Sequence, residues 1–158
     1  MKSDSASDTA RSVAAHRLEF ERVPAPYGDP AADEVLARDV ADGTQPRPGR
    51  MHEYLRARTA FFDRVVVAAL DRGIRQVVVG AAGYDGRAFR YGKPGVRWFE
   101  VDHPATQRDK LERLERLGID ASQVRFVEAD FTRDPVAGRL RAAGLEVDVS
   151  ARPGAEVA

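Results

Sequence analysis

Two apolar runs of this chain end in carboxylates: VRWFEVD closes on Asp102 and VRFVEAD on Asp130. A third, QVVVG from Gln76, gives way to the turn AAGYDG, where Ala81, Ala82 and Gly83 leave the backbone bare ahead of Asp85 and Gly86. Bare backbone lets a ligand approach main-chain N–H groups, and a strand-end carboxylate can accept two hydrogen bonds from a vicinal diol. Asp102 lies 19 residues after Gly83, the spacing at which the acid of a neighbouring strand reaches such a turn. By itself the turn is a weak motif. Ala81 stands where a G-x-G pattern has its first glycine, and a tight turn in which Gly83 takes a positive φ and Asp85 caps the next helix would explain it equally well.

The elements around these residues alternate. Gln76 to Val79 shows no polar alternation, as in a central parallel strand covered on both faces. Asp85 to Phe89 can start a short helix, and VRWFEVD (96–102) is a second strand. HPATQRDKLERLERLG follows as an amphipathic helix with Leu111, Leu114 and Leu117 inward, Gly118 as its stop and RDKLERLER as a solvated face. VRFVEAD (124–130) is a third strand and VAGRLRAAG a last helix. Upstream, MHEYLRARTAFFDRVVVAALDRG is a long helix that should pack on the sheet, with Met51, Tyr54, Leu55, Phe62, Val65, Val66 and Ala69 at helical spacing. Before it come a helix capped by Asp8, with Val13, Leu18 and Phe20 as its apolar contacts, and a second opened by the Asp29–Pro30 pair and ending near Gly43. The expected divisions are a disordered 1–7, an N-terminal helical cap at 8–50, a partial ligand-binding α/β domain at 51–143 and an irregular tail at 144–158. Strand, helix, strand, helix, strand is half of a doubly wound, Rossmann-like sheet, which binds its ligand outside the carboxyl ends of the strands.

Composition narrows the partners. The 158 residues carry 25 basic and 25 acidic side chains, so no global field draws in nucleic acid or an anionic membrane. There is no cysteine, which removes thiol nucleophiles and cysteine-ligated metals. No metal is expected: His16 and His52 lack partners at ligand spacing, and His103 reads as a loop residue. No apolar run approaches membrane-spanning length, which makes a cytoplasmic protein the default.

A turn and strand-end acid of this kind serve dinucleotides and S-adenosylmethionine alike, because both contain adenosine. Asp85 in the turn would repel a pyrophosphate and tolerate a sulfonium, which favours the methyl donor.

Four segments taken together, RARTAFFD (56–63), QVVVGAAGYDGRAFR (76–90), WFEVDHPATQRDK (98–110) and VEADF (127–131), resemble the leucine carboxyl methyltransferase-like family of class I methyltransferases, including its actinobacterial O-methyltransferase members. The likeness runs from about Asp8 to Phe131. It implies S-adenosylmethionine as cofactor and methyl transfer to a carboxylate or hydroxyl of a small molecule. It also implies that Arg58 reaches the methionine carboxylate, that Ala81 and Gly83 touch the cofactor through backbone, that Asp102 takes the ribose hydroxyls, and that Asp130 and Phe131 frame the adenine. Against these roles, Arg58 alone would read as a solvated helix arginine, and Asp102 as a cap for the helix at Pro104. Glu100 ranks behind Asp102, pointing only partly to the rim. No catalytic residue is identified.

The family continues into further strands and a substrate lid where this sequence reads GLEVDVSARPGAEVA, so a truncated chain with an inactive, self-associating sheet edge at Gln76–Val79 is expected. A Rossmann-type oxidoreductase and a non-catalytic interaction module are the competing readings.

Overall fold

The computed structural model describes residues 6–147. Nine elements follow one another: α1 (Asp8–Arg17), α2 (Pro30–Ala41), α3 (Arg50–Asp71), β1 (Gln76–Gly80), α4 (Arg87–Arg90), β2 (Arg97–Asp102), α5 (Pro104–Arg116), β3 (Val124–Glu128) and α6 (Val136–Ala142). The three strands are parallel in the order β1-β2-β3, with Gln76 opposite Arg97 and Trp98 opposite Val124. This is the partial Rossmann-like α/β sheet that the strand and helix pattern implied. The central strand is β2, buried from Trp98 to Val101, and β1 is an edge with Val78 and Val79 half-buried.

Side chains alternate across β2. Trp98 joins Leu36, Val40, Val66, Leu70 and Leu114 on one face, so α2, α3 and α5 share a core with the sheet. Phe99 and Val101 join Val127 and Leu140 on the other, under α6.

Three local expectations shift. Ser7 rather than Asp8 caps α1, its Oγ accepting from Ala10 N at 3.1 Å, because a short hydroxyl one residue earlier already satisfies that donor. Ala6, just before it, is buried; residues 1–5 and 148–158 lie outside those described. Asp29 does cap α2, accepting from Ala32 N at 3.2 Å ahead of Pro30. The inward face of α3 is the larger departure: His52, Leu55, Thr59, Asp63, Val66 and Leu70 are buried, while Met51 and Tyr54 are 62% and 59% exposed. His52 and Asp63 occupy that face because each finds a buried partner.

Asp63 is the centre of the polar core. Its carboxylate accepts from Arg22 Nε at 2.7 Å, Arg22 NH2 at 2.9 Å and Arg87 Nε at 2.9 Å. Arg87 NH1 reaches Asp85 at 2.5 Å, Arg22 NH1 reaches Asp33 at 3.1 Å, and Arg90 Nε reaches the same Asp33 oxygen at 2.5 Å. Three guanidiniums and three carboxylates thus balance in a nearly dry space, tying the α1–α2 loop, α2, α3, the turn after β1 and α4 to one another.

Candidate functional site

The turn after β1 leaves the sheet at its carboxyl end and is pinned at once: Ala82 N donates to Val101 O at 3.1 Å and Asp85 N to Ala82 O at 2.9 Å. Gly83 has φ +51°, and a side chain at this position would meet no atom within 4 Å, so its backbone opens onto free space. Ala81 takes φ +49° without being glycine and is exposed. An L residue in this region is strained by about 1–2 kcal/mol, and glycine forfeits about 0.4–1 kcal/mol of that advantage to unfolded-chain entropy. Ala81→Gly is therefore expected to raise stability by about 0.5–1 kcal/mol in urea titrations; a loss would mean that the methyl group packs on something that matters.

Asp102, at the end of β2, lies directly against this turn. Its Oδ2 accepts from Gly83 N at 2.5 Å and its Oδ1 from His103 N at 2.7 Å, leaving each oxygen a further lone pair. The side chain that caps α5 is His103, whose Nδ1 accepts from Ala105 N at 3.3 Å. His103 is thus a helix cap rather than a plain loop residue, and the capping alternative for Asp102 falls away.

Beneath the turn, Lys110 donates to Asp85 O at 2.7 Å and to Glu100 Oε2 at 2.6 Å. Both side chains of this ion pair are almost wholly buried, and burial pushes the Glu100 carboxyl up against the opposing pull of Lys110. Two expectations are corrected here. Glu100 does not reach the rim but points under α5, and RDKLERLER is not simply a solvated face. The inward positions of α5 are Gln107, Lys110 and Leu114, which leaves Leu111 39% exposed.

Asp85 is corrected as well. It is buried, it accepts from Arg87 N at 2.8 Å and from Arg87 NH1, and burial is outweighed by Arg87 and Arg17 so that its carboxyl stays well below the usual range. A charge so neutralised and turned inward does not choose between a phosphate and a sulfonium.

A cleft of about 440 Å³ lies over the turn, within the size range of small-molecule sites. Its walls come from α1 (Ala10, Val13, Ala14, Arg17), Arg58 on α3, Ala81 to Tyr84, and Ala105, Thr106 and Asp109 on α5. Arg58, Ala81 and Gly83 are thereby brought together, with Asp102 bonded to Gly83 at the edge. Arg58 is exposed and stacks over the Phe62 ring at 5.7 Å, with no ion pair among the described residues. Asp130 and Phe131 do not line this cleft. They follow β3 at the same edge of the sheet, where Ala129 N donates to Asp102 O at 2.9 Å. The Asp130 carboxylate closes its own turn by accepting from Thr132 N and Oγ1, which hold its pKa down, and Phe131 is half-exposed.

The cleft also contains residues that sequence reasoning passed over. Arg17 is half-buried on α1 and forms no hydrogen bond or ion pair to another side chain among the described residues; burial lowers its pKa. A stripe of small residues, Ala10, Val13 and Ala14, leading to an arginine one turn later was the available signal. Tyr84 donates its hydroxyl to Asp109 at 2.5 Å, and burial together with Asp109 raises the phenol's pKa.

Comparison with known proteins follows the same outline. A family model described as "Leucine carboxyl methyltransferase" matches residues 6–155. A Mycobacterium marinum protein provisionally named an S-adenosyl-L-methionine-dependent methyltransferase is 34% identical over 166 aligned positions, covering 94% of this chain and 54% of that protein. Relatives with the same provisional name in Mycobacterium ulcerans (35% identity, 94% of this chain, 54% of the relative) and Mycobacterium sp. strain MCS (37%, 77% and 52%) agree. The chain spans about half the length of these curated relatives. No helix among the described residues is long and apolar enough to cross a membrane. A parallel sheet whose first turn is bare, whose second strand ends in an acid held to that turn, and whose sequence matches across residues 6–155 places this chain in the leucine carboxyl methyltransferase family.

Proposed function

We propose that the cleft holds S-adenosylmethionine and that the protein serves methyl transfer to a carboxylate or hydroxyl oxygen of a small molecule. The observation that carries this reading is the Asp102–Gly83 contact, which sets a carboxylate with lone pairs to spare beside open left-handed backbone, at the edge of a cleft that Arg58 and Arg17 line. The donor set fits the cofactor. Asp102 has lone pairs left for ribose hydroxyls, Gly83 presents an unobstructed backbone, and Arg58 has a planar guanidinium with no carboxylate of its own. Arg17 adds a second guanidinium from α1 toward the same carboxylate. Asp130 and Phe131, farther along the strand-end edge, take the adenine side.

Bound there, the cofactor supplies a methyl group already activated by its sulfonium. What the chain's residues contribute is placement: Arg58 fixes one end and Asp102 the other, leaving an acceptor oxygen to be held in line. The edge of β1, unpaired among the described residues, suits pairing with further polypeptide, a second copy included, as part of the same reading.

Calorimetric titration tests it. Asp102→Ala is expected to weaken S-adenosylhomocysteine binding by about 1.5–3 kcal/mol, the range for hydrogen bonds to a charged group. Because Asp102 also holds Gly83 N, an analogue without the ribose hydroxyls isolates the direct term: its affinity should differ little between wild type and variant. Equal losses for both ligands would remove Asp102 from the ribose.

A further inference from the structure

His16 on α1 and His52 on α3 are both buried, and their Nδ1 atoms lie 2.7 Å apart. The hydrogen positions follow from a third residue. Arg56 NH2 lies 3.1 Å from His52 Nε2, and a guanidinium only donates, so His52 Nε2 is the acceptor. His52 in its neutral form then carries its proton on Nδ1 and donates to His16 Nδ1, which leaves His16 protonated on Nε2 alone. Donation runs one way, Arg56 to His52 to His16, and both imidazoles are neutral. Phe20 closes the box, its ring edge-on to His52 at 5.1 Å, with Arg56 6.0 Å from its centre.

A proton on His16 breaks the seating contact between the rings, whereas one on His52 Nε2 breaks only the link to Arg56, whose exposed side chain is able to turn away. On His16 it puts N–H against N–H at 2.7 Å; on His52 Nε2 it meets the Arg56 guanidinium. The surroundings do little to rescue the cation. Glu19, beyond the end of α1, is the one acid acting on His16, Glu53 on α3 is engaged with Arg56 at 3.8 Å, and α2 presents no titratable group to the ring among the described residues. Burial first and His52 second hold the His16 pKa below its ordinary value. His16 also adjoins Arg17, and Ala10, Val13, Ala14 and Arg17 of the same helix form one wall of the cleft.

We infer that His52 and His16 are positioning residues, which seat α1 and its Arg17 over the cleft at neutral pH and release them on acidification. For binding, this rests on the cofactor reading above; the release of α1 does not. The sign follows from the geometry: the neutral pair is the seated form, so seating is complete above the ordinary histidine pKa and is lost as pH falls below it.

Amide hydrogen exchange on the whole chain without ligand tests the release. Protection factors of α1, corrected for intrinsic rates, should fall at least tenfold more than those of α5 between pH 7.5 and 5. In His16→Asn, whose side-chain oxygen replaces the accepting Nδ1, α1 should be protected as in wild type at pH 7.5 and lose less than threefold at pH 5. The same loss in both proteins, or no selective loss in wild type, overturns the inference. Should His16→Asn fail to fold, an NMR titration of the wild-type rings decides: His16 titrating at or above 6.5 overturns it and a lower value supports it. S-adenosylhomocysteine affinity should drop at least tenfold over the same range in wild type and much less in the variant. Absence of binding at every pH would reject the cofactor reading while leaving the exchange result to judge the release.

Discussion

Asp63→Asn should destabilise the protein by about 3–5 kcal/mol, the cost of removing one partner from buried charge pairs. The substitution keeps shape and volume, so nothing but charge and hydrogen bonding changes. Asp63 is fully buried and accepts three hydrogen bonds, two from Arg22 and one from Arg87. An amide retains one accepting oxygen and aims an NH2 at a guanidinium, which leaves two buried cations short of a partner. The acid limb of the stability curve should change with it. Burial raises the Asp63 carboxyl's pKa, but Arg22 and Arg87 outweigh it and hold the group below the ordinary range. A depressed folded pKa contributes stability that is present above about pH 4 and disappears as pH falls through the folded value. Urea titrations from pH 7 down to pH 3 should therefore show the gap between wild type and variant closing toward the acid end. A constant gap would mean that the loss comes from packing.

That network also marks where the sequence stopped being informative. The alternation of strands and helices, the Asp29–Pro30 start of α2 and the acid beside the glycine turn are local or short-range patterns, and a single chain displays them. The inward face of α3 is different. Apolar periodicity finds Leu55, Val66 and Ala69 on the buried stripe, but it adds the exposed Met51 and Tyr54 and passes over His52, Thr59 and Asp63, because it scores hydrophobicity alone. What turns the polar stripe inward lies far away in sequence, Arg22 and Arg87 for Asp63 and His16 for His52. The same holds for Lys110, which looks like one more charge on a solvated helix until Glu100 and the carbonyl of Asp85 are found beneath it. Around the cleft, the family resemblance pointed to Arg58, Ala81 and Gly83, which lie together on its wall, and to Asp102, which is bonded to Gly83 at its edge. Arg17 was not, because its place depends on how α1 crosses α3.

The two glycines of the turn do separate jobs, and Gly86→Ala separates them experimentally. At Gly83 a methyl group would enter open cleft space, although φ +51° disfavours it. At Gly86 the backbone, φ −107° and ψ 10°, is open to alanine, so space decides. A Cβ there would stand 1.9 Å from Asp33 Oδ1 and 2.6 Å from its Cγ. Asp33 cannot swing away freely, since its other oxygen is held by both Arg22 and Arg90. Displacing it combines overpacking with the loss of a partner for two nearly buried guanidiniums; Glu34, 3.9 Å from Arg90 and half-exposed, takes up part of the charge. We expect Gly86→Ala to cost about 2–4 kcal/mol. Asp33→Ala alone should also be costly, but it clears the space, so adding Gly86→Ala to it should cost less than about 1 kcal/mol, a coupling of at least about 1–3 kcal/mol. Additive losses in that cycle would show that something other than Asp33 requires glycine at 86. Asp33 lies outside the cleft, so affinity for S-adenosylhomocysteine, measured well below the unfolding midpoint, should be kept in Gly86→Ala. A variant that stays folded yet fails to bind would move Gly86 from the ionic network to the ligand.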